Sequence, residues 1–487
     1  MLSTKTTPKI AAFETQAKGE LWSPKVLTLS LIAFLFFMPN AWGQQSELSP
    51  YSRYGFGLIG QLHTPVYAGL GGMETTLING YQFNPNNPAS ATFLNQTTFQ
   101  SSAIGSRMRL EQGDAPNATA AFGSPGPFGL VVKKQSGKNA FILGASPYSN
   151  SGFVITRNTD IEGIGTTQER YEGEGGLNNF NLGWAHVIQG TRFVEAGPND
   201  SLRIQGNALH LGIQTQYLFG QISRTSTVDI IDPTFLDHRS QFAAQHRSIT
   251  ANIGVIYNQL LFARYNALKD FEKSCSIRMG AVFSPETNLH STVRTIDETT
   301  QTLGGIPVSL DTAFFSEQIG FRGRMPQSLS IGSSVHFDRA DGMRWAAGVE
   351  FKSTRWSQVS ADLPAGMLAQ GMEWVDSESF HMGLSFNLGN PEQRHPTWGK
   401  ATYRLGMNQQ YQPYQINGSP ILAQSFTGGV TIPMVGSRSM SRIHFGTELG
   451  ERTTEAGALK ESFMRIHFGV SLMPFFKNNW LIPRLYD

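Results

Sequence analysis

The segment "FMRIHFGVSLM" sets Met464, Ile466, Phe468, Val470 and Leu472 on one face and Arg465, His467, Gly469 and Ser471 on the other. A side-chain period of two is the period of a strand and excludes a helix. The same alternation recurs from about Gln96 onward, as in "SRIHFGTEL", "SFHMGLSFNLG" and "RWAAGVEFK". In each, one face is mostly large and apolar. The other holds only small or strongly charged residues.

A soluble sandwich also alternates, with its apolar face inward. Two features favour a membrane barrel instead. The small and charged face suits a wet lumen, and glycine recurs at its middle: Gly212, Gly254, Gly280, Gly332, Gly348, Gly383, Gly406, Gly446 and Gly469. Glycine there suits a curved wall with something packed closely inside it. After the N-terminal leader, the sequence has no apolar run of transmembrane-helix length, so a closed barrel is the remaining way to satisfy backbone groups in lipid. Charged residues make up only 15% of the chain, against roughly 25% in soluble domains, alongside 51 glycines and 33 phenylalanines.

Fourteen segments carry the pattern, near 96–106, 127–134, 139–147, 178–189, 207–219, 247–258, 275–284, 327–338, 343–354, 379–389, 400–411, 424–433, 441–450 and 462–473. Odd-numbered connections average about 24 residues and even-numbered ones about 10, the long-loop and short-turn asymmetry of outer-membrane barrels. "QSGK" (Gln135 to Lys138) and "RADG" (Arg339 to Gly342) are good hairpin closers. The expected fold is all-β: a closed antiparallel transmembrane barrel of about 14 strands with an N-terminal plug, or hatch, in its lumen. An even strand number with both termini in the periplasm places the long loops outside the cell.

Ahead of the alternating region, Lys25, the apolar run Val26 to Met38 and the small-x-small site Ala41-Trp42-Gly43 describe a signal peptide with Gln44 as the first mature residue. The domain reading is residues 1–43 as signal peptide with a long leader, 44–94 as hatch, 95–475 as barrel and 476–487 as tail. Residues 1–43 hold four lysines and two glutamates, so the remainder has 34 basic and 34 acidic residues. This neutrality argues against a nucleic-acid partner. The single cysteine, Cys275, excludes an internal disulfide and a cysteine-based zinc site.

"GFGLIG" (Gly55 to Gly60) matches a dinucleotide fingerprint but lacks the strand before it and the helix after it. His210, His336, His381, His444 and His467, with Glu350 and Glu448, fall on the lumen face and read as wall residues or contacts to a plug. No H-E-x-x-H or G-x-S-x-G occurs, so no catalytic residue, metal ligand or cofactor is assigned and the chain is read as a non-enzyme. "LPAGMLAQGMEWV" (Leu363 to Val375) is an apolar, methionine-rich stretch in a long loop. It either folds back on its neighbours or offers an apolar contact surface.

Several pieces together resemble the FadL-type outer-membrane transporter family. They are "GGMETTLINGYQFNPNNPAS" (Gly71 to Ser90), "YEGEGGLNNFNLGWA" (Tyr171 to Ala185), "LHLGIQTQYLFG" (Leu209 to Gly220) and "RMPQSLSIGSSVHF" with "MRWAAGVEFKSTRWS" (Arg324 to Ser357). The start "SPYSRYGFG" (Ser49 to Gly57) and end "NNWLIPRLYD" (Asn478 to Asp487) are closer to uncharacterised outer-membrane proteins of Bacteroidetes. The resemblance implies a 14-stranded barrel plugged by an N-terminal hatch, with Gly71 to Ala89 in that hatch and Asn87, Pro88 and Ala89 at its turn. The chain departs from the family by ending in Tyr486-Asp487 beyond its last strand.

The expected function is passive passage of small hydrophobic compounds across the outer membrane of a Gram-negative bacterium. Leu363, Met367, Leu368, Met372 and Trp374 are the candidates for capture. Gly71, Gly72, Asn84, Asn87, Pro88 and Ala89 are the candidates for hatch and gate. The expected partners are outer-membrane lipid and a small hydrophobic ligand. The alternative is a non-transporting barrel that serves type IX secretion or surface assembly through protein partners, and behind it an outer-membrane hydrolase.

Overall fold

The structure is a computed structural model that describes residues 49–473, except 61–62, 114–116, 135–136, 164, 196–200, 231, 233–234, 267, 304–305, 365, 369–370, 390–398, 435–439 and 455–456. The signal peptide, the C-terminal tail and half of the "QSGK" turn therefore lie outside the described residues.

Fourteen wall strands run in chain order: β1 (Thr98–Gln112), β2 (Phe128–Lys133), β3 (Asn139–Asn150), β4 (Gly165–Glu195), β5 (Ser201–Ile230), β6 (Asp237–Tyr265) and β7 (Phe271–Ser284). They continue as β8 (Ser328–Arg339), β9 (Met343–Thr354), β10 (Ser377–Leu388), β11 (Thr402–Ile416), β12 (Ser419–Pro433), β13 (Arg442–Thr454) and β14 (Gly457–Leu472). Each pairs antiparallel with the next. β14 pairs back onto β1, Phe99 opposite Leu472, so the barrel is closed and has 14 strands. All fourteen segments read from the alternation fall on these strands.

Closure explains the pattern. Phe180, Leu182, Ile213, Phe351, Leu405, Phe426, Ile466 and Phe468 point outward and are exposed, as lipid-facing side chains are. Their neighbours Asn179, Asn181, Gln214, Glu350, Arg404, Arg465 and His467 point inward and are buried. Register aligns the mid-strand glycines across the wall: Gly383 is opposite both Gly348 and Gly406, Gly212 faces Gly254, and Gly429 faces Gly446.

The strands run beyond their expected bounds, farthest at one end. β4, β5 and β6 are 31, 30 and 29 residues long, whereas roughly 9–11 suffice to cross a bilayer. The excess forms ribbons at the end opposite the short turns, and Thr287–Leu303 pairs there with β6 and with Ile306–Met325. Stretches such as "STVRTIDETTQT" are rich in β-branched residues and stay strand-like without a lipid-facing period. Below, "ribbon end" and "turn end" name the two ends of the barrel.

Residues 49 to 95 add little to the wall and are mostly buried. They comprise a 3-10 turn (Pro50–Arg53), the short strand Leu58–Ile59, one helical turn (Pro65–Ala68) and a second 3-10 turn (Pro88–Phe93). Ser49 begins at the ribbon end, where its hydroxyl donates to Glu461, itself paired with Arg452 at 2.5 Å. The segment reaches the turn end near Asn95, which with Tyr81 lines a cavity beside the β8–β9 and β10–β11 connections. The sequence predicts both termini on the turn side; residues 1–48 and 474–487 lie outside the described residues, and the described part of the segment starts at the ribbon end. Periodicity gives no direction to an aperiodic segment.

Candidate functional site: the lumen and its seals

The N-terminal segment touches the wall where the wall has glycines. A Cβ built on Gly212 would fall 2.5 Å from the Pro88 carbonyl carbon, and one on Gly406 2.5 Å from that of Leu70. One on Gly280 would fall 3.0 Å from the Thr75 carbonyl oxygen, and one on Gly446 2.7 Å from that of Pro65. Backbone packs on backbone there, which only glycine permits.

Four of the six hatch candidates, Gly71, Asn87, Pro88 and Ala89, occupy two of these contacts, with Gly72 and Asn84 beside them. Gly71 and Gly72 have φ of 67° and 81°, the left-handed region that glycine tolerates. Gly71 donates its N–H to Thr427 Oγ1 (2.9 Å), and its carbonyl lies 2.6 Å from His381 Nδ1. Asn87, Pro88 and Ala89 form the other contact, against Gly212 of β5 and Gly254 of β6, and Asn84 braces their turn. Asn87 Oδ1 caps the 3-10 turn by accepting from Ala89 N (3.1 Å), and its amide donates to Glu74 O (3.0 Å). Asn84 accepts from Asn86 N (2.9 Å) and donates its own N–H to Ser90 Oγ (2.9 Å).

Between the two lies a polar latch. Glu350 Oε2 on β9 accepts from Glu74 N (2.8 Å), Thr75 N (2.8 Å) and Thr75 Oγ1 (2.7 Å). Lys352 Nζ lies 3.3 Å from Glu74 Oε2, and His63 Nδ1 3.8 Å from Glu74 Oε1. Burial pushes the Glu74 carboxyl up, but Lys352 first and His63 second outweigh it and hold the group below the usual carboxylate range. Burial also pushes His63 down. The sequence predicts Glu350 as a wall residue or plug contact; Glu74 and Lys352 carry no signal in it that pairs them.

The ribbon end is sealed by apolar packing. Phe56 sits 5.6 Å from Trp356 and 6.0 Å from Trp374, and the two tryptophans stack at 5.1 Å. Arg224 ties the contact by donating to Gly55 O (2.7 Å) and Met367 O (3.0 Å). All five capture candidates meet here. Leu363 and Met367 are buried in one cluster with Phe56, Leu177, Leu218 and Trp356. Leu368 and Met372 pack on a second, around Tyr51, Tyr54 and Tyr414, and Trp374 touches both. The apolar loop thus folds inward onto the N-terminal segment.

The wall ladder breaks beside this cluster. β1 pairs with β2 only over Thr98–Gln100, then with Ala118–Pro125 over Ala103–Leu110. "SPGP" (Ser124 to Pro127) kinks the chain between them, and its two prolines have no N–H for a ladder. β3 pairs with β2 only up to Ala145. Farther along, Ser149 and Asn150 pair with Ile59 and Leu58 of the N-terminal segment. A cavity of about 190 Å³ reaches this gap, lined there by Ile59, Pro127, Pro147 and Tyr148 and toward the cluster by Met325 and Trp356. Its other walls are polar, including Asn179, Gln216, Lys352 and Glu448.

Of the lumen histidines, His210 and His381 tie wall to segment, and the other three contact wall residues. His210 bonds Thr92, and His444 bridges Thr431 and Ser471. His336 bonds Ser334 and His381 bonds Ser379, while His467 lies 3.9 Å from Glu448. Among the described residues none of the five joins a serine to a carboxylate in the arrangement of a hydrolase.

No curated protein matches the chain. Among solved structures, the P. putida toluene transporter TodX is similar over 85% of this chain and 98% of its own, at 13% identity and a TM-score of 0.50. The CymD monoaromatic hydrocarbon channel covers 86% of this chain and 99% of its own at 14% identity and TM-score 0.49. A Pseudomonas aeruginosa FadL homologue covers 86% and 98% at 11% identity and TM-score 0.45. The TodX likeness shows a shared fold, the closed antiparallel β-barrel described above. The model of the BamG family matches residues 25–487, and the chain therefore belongs to the BamG family.

Proposed function

We propose that this barrel passes small hydrophobic compounds through the outer membrane, down their gradient, with the ribbon end outside the cell. Leu363, Met367, Leu368, Met372 and Trp374 form the apolar capture site beneath the loops, and residues 49–95 act as the hatch. The observation that carries the reading is the break in the wall ladder, which continues the apolar cluster at Ile59 and Tyr148. An apolar solute that displaces Phe56 from Trp356 exchanges one apolar contact for another. Below that level it meets the Glu350–Glu74–Lys352 latch, which offers it nothing, so the low-cost way out is sideways into lipid. The 71–72 and 84–89 contacts would have to loosen for Ile59 to leave β3, which gives those residues the role of a gate.

The test is to purify the full chain and identify bound apolar molecules by mass spectrometry. The expected result is a bound ligand that is lost in M367K. A chain without apolar ligand that brings down a stoichiometric protein partner would overturn the reading.

A second reading, a barrel that serves secretion or surface assembly by binding protein, is favoured by one feature. The strand Ile306–Met325 pairs on one edge with Thr287–Leu303, and no residue register joins its other edge to a strand among the described residues. Phe314, Phe315 and Ile319 on it are 50%, 54% and 76% exposed. An open apolar edge is a template for an added strand.

A further inference from the structure

At the turn end, a cavity of about 520 Å³ lies under Leu70, Leu77 and Ile78 of the N-terminal segment. Five cations line it, Arg278 (β7), Arg344 (β9), Arg404 (β11), Arg442 (β13) and Lys400, against one carboxylate, Asp338. Asp338 is taken by Arg344, whose Nε lies 3.3 Å away. The other three arginines have no carboxylate within ion-pair distance among the described residues.

Their contacts are neutral. Arg278 donates to Asn258 Oδ1 (3.3 Å) and Ile78 O (3.2 Å) and lies 4.7 Å over the Phe93 ring. Arg404 is 3% exposed and donates to Thr431 Oγ1 at 2.7 Å. Arg442 lies 3.7 Å over the Tyr81 ring, and its Nε is shielded from solvent without a hydrogen-bond partner. Taking guanidinium groups out of water is unfavourable unless an anion or a full set of acceptors replaces the water. Neither is supplied by the described side chains, although the arginines come from three strands and face one space.

We infer that this cavity is an anion site for a phosphate group. Guanidinium forks match phosphate oxygens two at a time, and cations converging from several walls suit a tetrahedral, multiply charged anion better than a planar carboxylate. Asn79, Asn95 and Asn387 line the same space and can donate further. Two sources share this chemistry, free phosphate and the headgroup of an anionic lipid at the membrane face. The site is separate from the apolar route and does not depend on it.

The test uses the full chain in a zwitterionic detergent and titrates inorganic phosphate and short-chain phosphatidic acid by calorimetry. Saturable binding is expected, weakened at least tenfold in R442Q and in R404Q and unchanged in R109Q at the ribbon end. Heat-modifiable migration on a gel reports whether each variant is folded. Arg442 is only half-buried, so R442Q keeps the test decisive if R404Q does not fold. Binding of both probes, with mutual displacement, assigns the site to phosphate itself. Binding of phosphatidic acid alone assigns it to the lipid headgroup. Failure of both probes to saturate, or unchanged affinity in folded R442Q, overturns the inference.

Discussion

The two ends of the lumen are closed by opposite chemistry. At the ribbon end, Phe56, Trp356, Trp374 and Met367 exclude water by apolar packing. At the turn end, arginines face a polar cavity. The Glu350 latch and the glycine contacts divide the two. An apolar seal is neutral toward an apolar visitor because displaced contacts are replaced in kind. A polar latch opposes one, since each parted hydrogen bond leaves a buried group without a partner. The contrast is why the proposed route turns sideways at the β2–β3 gap instead of running the length of the barrel.

Perturbing each region in turn would break or sharpen that contrast. The largest effect is expected from F56A, which removes the centre of the aromatic seal at about 4 kcal/mol. Protease sensitivity of the 49–60 region should rise, and apolar-probe uptake should rise with it. E350A strips the acceptor from three buried donors at about 3 kcal/mol. It should raise ion conductance in planar bilayers and leave apolar uptake nearly unchanged. If F56A and E350A gave the same signature, the two regions would not be separate barriers. G406A forces a methyl against the Gly71 backbone and should lower stability to denaturant by about 2 kcal/mol. N87A loses a cap and its bonds to Glu74 and Thr75, about 1 kcal/mol, seen as faster hydrogen exchange at 88–93.

The smallest effect concerns pH. The Glu74 carboxyl is held below its ordinary value in the folded chain, so the unfolded state binds the proton more readily. Its contribution is complete above the unfolded value, 4.5, and is lost as pH falls through the lower folded value. Attachment of the segment, read by proteolysis, should therefore weaken below pH 4.5 in the wild type and lose that dependence in E74Q.

The wall was legible because lipid imposes a period of two on every crossing strand, and the glycine rows announced a close neighbour inside. The contacts of residues 49–95 with the wall were partly legible. The positive φ of Gly71 and Gly72 and the Asn87 cap are local devices that leave a trace in sequence. The seal was not. "LPAGMLAQGMEWV" read as a candidate surface patch because its partner, Phe56, lies some three hundred residues away and no periodic rule joins them. The ribbons were missed as strands because outside lipid both faces are free to be polar. Convergence of Arg278, Arg404 and Arg442 was equally hidden, since each is only an inward polar position on its own strand.

The most direct measurement sets apolar flux against ion flux in the same protein. Cells whose outer membrane carries the chain would be compared with cells that lack it for uptake of a fluorescent apolar probe. The purified chain would then be examined for steady conductance in planar bilayers. The expected result is faster probe uptake with no steady ion conductance, because the Glu350 latch holds while the proposed apolar route opens sideways. Uptake equal to that of cells lacking the chain, or a large constant ion current, would contradict a hatched barrel with a lateral apolar exit.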